Sequence, residues 1–134
     1  MRIISAALFA LFTGLSAPQA MAQDADVRAV ISAQIEAFEI DDFEQAFSYA
    51  SPTIRQVFRT PENFGVMVQR GFSMVWRPAD VRFLDLENRD GALWQDVMVR
   101  DAAGDVFILE YEMIKLEAGW KINGVRIRPA AGTA

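Results

Sequence analysis

The chain contains neither histidine nor cysteine. That removes nucleophile systems built on Ser-His-Asp or Cys-His, and it removes zinc sites built on imidazole or thiolate. Any chemistry must come from carboxylates, amides, Tyr and Arg. Three polar residues stand out because side-chain alternation along a strand turns them, with apolar neighbours, toward an interior. Leu93, Gln95, Val97 and Val99 share one face, as do Phe107, Leu109, Tyr111 and Met113. Asn123 comes in a later strand-like run. Gln95, Tyr111 and Asn123 are therefore the candidate ligand-binding residues. A buried phenol can donate a hydrogen bond to a ligand oxygen or polarise a carbonyl. It can equally be a core tyrosine whose hydroxyl is tied to backbone or water. An amide such as Gln95 can orient a ligand but is a poor base.

The carboxylates offer less. Asp85 and Asp96 are the strand carboxylates nearest the centre of the expected sheet, and alternation sends each to solvent. A general base also needs reach to a proton and a tuned pKa. Glu39, Asp41, Asp42 and Glu44 form an acidic cluster whose oxygens suit hard cations. The cluster lacks the D-x-[DN]-x-[DN]-G spacing of a calcium loop, and a capping box with Asp41 as cap and Glu44 three residues on accounts for it. Arg77, Arg126 and Arg128 could grip an anion bidentately, or pair with Glu110 or Glu112 at a solvated strand end. The sequence assigns no catalytic residue, no metal ligand and no cofactor.

These residues must be held by two kinds of element. Val27, Val30, Ile31, Ile35 and Phe38 recur at helical spacing after a cap at Asp24 or Asp26. Phe43, Ala46 and Phe47 give a short second helix. Ser51-Pro52 and Thr60-Pro61 each place a capping hydroxyl before a proline at the first helical position, and Gly71 ends the last helix. Past Pro78 the period becomes two. Strands are expected over 81–87, 93–100, 105–116 and 120–128, joined by turns at Asn88–Gly91, Asp101–Gly104 and Glu117–Gly119. Such short links imply an antiparallel meander. Helices followed by such a sheet indicate an α+β fold with the helices on one face. A helix lying in the curve of a twisted four-stranded sheet can leave an apolar cavity.

At the N-terminus, Arg2 precedes an uncharged run from Ile3 to Ala17, and Ala20-Met21-Ala22 supplies a small-x-small cleavage pattern. Residues 1–22 are expected to be a signal peptide, with a single domain over 23–134 and a periplasmic or secreted location. Fifteen uncharged residues are fewer than the roughly 20 a spanning helix needs, so no membrane anchor is expected after cleavage. Loss of Arg2 leaves 12 basic against 18 acidic residues, a balance of −6. An acidic domain of this kind repels polyanions, which argues against nucleic acid as a partner.

Two sets of residues carry a resemblance. The helix order, the Ser-Pro and Thr-Pro caps and a meander closing on Trp120-Lys121-Ile122-Asn123-Gly124-Val125 resemble the nuclear transport factor 2-like (cystatin-like) cone fold. Gln34-Ile35-Glu36-Ala37-Phe38, Ala46 to Pro52, Arg77-Pro78 and Tyr111-Glu112-Met113 resemble the exported bacterial family of domain of unknown function 4864. The resemblance implies a cone-shaped domain. It leaves open a non-catalytic small-ligand-binding or assembly domain and, as the alternative, a small-molecule isomerase, dehydratase or hydrolase. The expected partner is a small apolar ligand. A homodimer is also expected through the outer sheet face, where Trp94, Met98, Val106, Ile108 and Ile114 would form a continuous apolar patch.

Overall fold

The computed structural model describes residues 16–129. Residues 1–15 of the expected signal peptide and the last five residues lie outside that range. Five helices precede four strands: α1 (Ser16–Glu39), α2 (Phe43–Ser48), α3 (Pro52–Phe58), α4 (Pro61–Gly71), α5 (Ser73–Trp76), β1 (Pro78–Arg89), β2 (Ala92–Asp101), β3 (Val106–Leu116) and β4 (Gly119–Ile127). The strands form one open antiparallel sheet in the order β1-β2-β3-β4. The helices pack on one face of it, giving the α+β architecture expected from the sequence. No helix among the described residues is long and apolar enough to cross a membrane.

Local chemistry fixes the element ends. Ser51 and Thr60 accept the amides of Ile54 and Asn63, and each is followed by proline. These hydroxyls satisfy amides that have no partner inside the helix. The β1–β2 turn is tighter than the expected four residues. Only Asp90 and Gly91 lie between the strands, with φ of 52° and 82°. Two successive left-handed residues match the right-handed twist of the flanking strands.

Three expectations change. Helix α1 is already formed at Ser16, the first described residue, and does not start near Asp24. The cap of α2 is Asp42, which accepts the Gln45 amide at 3.1 Å. Asp41 takes a different role. At φ 56°, its carboxylate accepts the Trp76 indole N–H at 2.8 Å and Arg77 at 3.0 Å. Arg77 also donates to the Phe38 carbonyl at 2.8 Å and lies over the Trp76 ring. This clamp joins the end of α1 to the start of β1. The hydrogen bonds from Trp76 and then Arg77 hold the Asp41 carboxyl below the usual carboxylate range. It also explains α5, a four-residue helix too short to show a period of its own.

The core lies between helices and sheet. Val27, Ile31, Ile35 and Phe38 from α1 meet Val97, Val99 and Leu109 from the sheet, all 4% exposed or less. A second layer centres on Phe64, whose ring stands 5.2–5.9 Å from those of Phe38, Phe47 and Phe58. Here α2 presses on α4 so closely that a Cβ on Gly65 would sit 2.8 Å from the Phe43 ring. Gly65→Ala is expected to lose about 1–3 kcal/mol through overpacking, despite alanine's better helix propensity. Gly71→Ala, with open space around it, should cost nothing. Urea denaturation of both variants checks this; equal stabilities would show that the α2–α4 approach is not tight.

Candidate functional site

Between the helical layer and the sheet lies a partly enclosed pocket of about 220 Å³. Its floor is made of buried residues: Gln34 and Phe38 from α1, Ala50 from the segment before α3, Phe64 and Val68 from α4, Val75 from α5, Tyr111 from β3 and Ile122 from β4. Its rim is formed by half-buried Ile54, Phe58, Met67, Phe72, Gly124 and Val125. Helix α3 supplies Ile54 and Phe58 but buries none of its own residues, so one wall of the pocket is lightly held. The lining contains two hydrogen-bonding side chains, Gln34 and Tyr111, and no charged one.

Tyr111 is 1% exposed, and no hydrogen bond to its hydroxyl is found among the described residues. Burial alone pushes the phenol well above its ordinary value, so it stays protonated and can donate. Gln34 donates from Nε2 to the Ala46 carbonyl at 3.1 Å, which fixes the amide plane and leaves its other polar sites uncommitted. Gln34 is not among the residues that the sequence singles out for binding. Its signal is nonetheless there: position 34 falls on the buried stripe of α1, three residues after Ile31 and four before Phe38, where an amide is out of place.

The other two expected ligand residues lie elsewhere. Gln95 points inward and is fully buried, but it does not line the pocket. Its Nε2 donates to the carbonyls of Leu84 at 3.0 Å, Asp85 at 3.3 Å and Asp96 at 2.8 Å. Those bonds hold a bulge in β1, where pairing to β2 skips from Phe83 to Leu86. Asn123 is the extra residue of a bulge in β4, since Glu112 pairs with Gly124 and Met113 with Ile122. It accepts from Ser51 Oγ at 2.8 Å and donates to Glu112 at 3.3 Å. Asn123 thereby anchors the root of α3 to the sheet. Alternation fails for it because a bulge adds a residue and shifts the face of every later position in the strand.

On the outer face, Asp85 is exposed as expected, but Asp96 is 4% exposed and Glu110 7%. Asp96 was expected in solvent; three arginines cover it and its neighbour instead. Arg89 reaches both carboxylates. Arg126 binds Glu110 at 3.1 Å and lies over the Trp94 ring at 4.4 Å. Arg128 binds Asp96 and approaches Glu110 at 3.6 Å. Arg77 belongs to the Asp41 clamp, so the three expected anion-gripping arginines do not converge. The network also divides the expected apolar patch. Met98 and Ile108, with Val106 beside them, lie on one side of the Asp96–Glu110 pair, and Trp94 and Ile114 on the other.

A family model described as domain of unknown function (DUF4864) matches residues 20–134. The chain belongs to that family. No curated protein and no solved structure matches it. The residues that carry the resemblance divide by role. Gln34, Phe38 and Tyr111 line the pocket, Ser51 roots its α3 wall, and Arg77 closes the clamp on Asp41.

The arginine–carboxylate network responds to acid. Burial on its own would raise the Glu110 carboxyl; hydrogen bonds from Arg126 and Arg89 and the nearby guanidinium charges outweigh it and leave it below its ordinary value. A depressed carboxylate stabilises the fold fully above its unfolded value of about 4.3, and that stability is lost as pH falls through the folded value. Glu110→Gln should lower stability at pH 7 and flatten its decline below about pH 4.3. Urea midpoints from pH 7 to pH 3 measure this; an unchanged slope in the variant would contradict it.

Proposed function

We propose that this protein is an exported, non-catalytic binding domain whose pocket holds one small, largely apolar molecule. The observation that carries the reading is an apolar void at the heart of a domain this small, with an unspent tyrosine hydroxyl in its floor. Protein interiors are close-packed and voids larger than a water molecule are few, whereas ligand sites combine apolar walls with a few placed polar groups. The pocket lining lacks a carboxylate, which leaves proton abstraction without a base there. The four-stranded meander under one helical layer is the layout a nuclear transport factor 2-like cone requires, and we assign the domain to that fold.

Export to the periplasm or medium fits the helix that would be cut. Met21 is 73% exposed, and Ala20 and Ala22 are exposed beside it. Ala20, Met21 and Ala22 take no part in the core, whose first member among the described residues is Val27. Protein recovered from an exporting host should begin at or near Gln23 by N-terminal sequencing. Intact Met1 on the recovered protein would refute export by cleavage.

Binding is tested with isopropylbenzene, an uncharged apolar probe of matching size. Calorimetric titration should show one saturable site. Ala50→Leu places added carbons at the pocket floor and should abolish that site while the variant still folds with a cooperative urea transition. Absence of saturable binding to the unaltered protein would sink the reading.

A further inference from the structure

The pocket's walls also restrict what class of molecule can occupy it. Resting on the binding reading above, we propose that the ligand is an uncharged carbonyl compound of about nine non-hydrogen atoms, a small aromatic or alicyclic ketone in class, with its oxygen on the Tyr111 hydroxyl.

Size comes from volume. An apolar cavity of roughly 150 Å³ holds the six carbons of benzene. The pocket offers about 220 Å³, which by proportion takes about nine non-hydrogen atoms. Charge is settled by the lining, which has no Arg, Lys, Asp or Glu. An ion entering would lose its hydration with no partner to replace it. Carboxylic acids and amines, ionised at neutral pH, are therefore rejected.

The polar group is dictated by what Tyr111 needs. A buried, protonated phenol with no acceptor among the described residues calls for a ligand oxygen that accepts. A ketone oxygen meets that need and brings no donor of its own. An alcohol would add an O–H whose one side-chain acceptor in the lining is the Gln34 amide oxygen, held in a fixed plane by the bond to Ala46, and a buried donor left out of line with it is costly. A pure hydrocarbon fills the space but leaves the Tyr111 hydroxyl unpaired. The remaining surface faces Phe38, Phe58, Phe64, Phe72 and Met67, which favours a ring.

Five probes of one skeleton test this: acetophenone, isopropylbenzene, 1-phenylethanol, benzoate and benzamidinium, each a phenyl ring with a three-atom branched substituent. Calorimetric titration should rank acetophenone first, about three- to tenfold above isopropylbenzene, the worth of one neutral hydrogen bond. Benzoate and benzamidinium should bind at least about tenfold more weakly than isopropylbenzene. Tyr111→Phe should bring acetophenone down to the level of isopropylbenzene, whose own affinity should not fall. The infrared carbonyl band of acetophenone bound to the unaltered protein reads the same bond without any substitution. It should lie below its position in an apolar solvent. An unshifted band, a preference for 1-phenylethanol, or tighter binding of either ion overturns the ketone class while leaving the binding pocket standing. Failure of isopropylbenzene and acetophenone alike to bind would instead bring down the binding reading itself.

Discussion

The register of β2 against β3 is the constraint on which the rest of the molecule depends. The two strands pair Gln95 with Tyr111 and Asp96 with Glu110. Because the side-chain period is two, a slip of one residue would exchange the faces of a whole strand. Glu110 or Glu112 would then enter the dry interior, and Tyr111 would leave it. Both faces resist that slip. Inside, Val97, Val99 and Leu109 are fully buried. Outside, Asp96 and Glu110 share Arg89, a bridge that exists only in this register. The position of the phenol in the pocket is thus held by charges on the opposite side of the sheet.

With the sheet fixed, the pocket is a consequence of how its inner face is covered. Helix α1 lays one stripe along it, and the short helices α2 to α5 must cover the remainder. They are individually too short to be stable alone, so each is tied down by a specific bond: Asp42, Ser51 and Thr60 at caps, Asp41 to Trp76 and Arg77, Asn123 to Ser51. Phe64 fills the centre of this layer. The pocket lies between this layer and the sheet, with Phe38 and Phe64 on one side and Tyr111 on the other. Helix α3, with no buried residue, depends for its position mainly on its root at Ser51.

Legibility in the sequence obeys the same logic. Periodicity and capping chemistry are local, so α1, the Ser51 and Thr60 caps, the meander and the faces of β2 and β3 could be read directly. Tyr111 in the pocket was readable because β3 runs regularly through it. Gln95 was placed on the right face, but its task depends on a bulge in β1 that no residue pattern announces. Asn123 was misplaced by its own bulge. Asp41 looked like a cap because Glu44 sits at the right spacing; the partner that claims it, Trp76, lies 35 residues away. Gln34 was hidden among apolar neighbours, and only the void beside it gives it meaning.

The outer face shows why sequence alternation alone misjudged exposure. Alternation says which way a side chain points, and it was right about Asp96 and Glu110. It says nothing about what lies across them. Here the cover is intramolecular: the long aliphatic stems of Arg89, Arg126 and Arg128 lie over the sheet and carry their charged heads to the acids. Burying a carboxylate is tolerable only when it is paired and hydrogen-bonded, and each of the two acids has at least two arginine partners. The arrangement breaks up what would otherwise be a continuous apolar surface, of the kind a monomer seldom exposes beyond a few hundred Å². It also separates the two faces by task. Arg89, Arg126 and Arg128 are committed to holding the sheet, while the hydrogen-bonding capacity left unspent lies on the inner face, at Gln95 Oε1 and around the pocket at Tyr111 and Gln34.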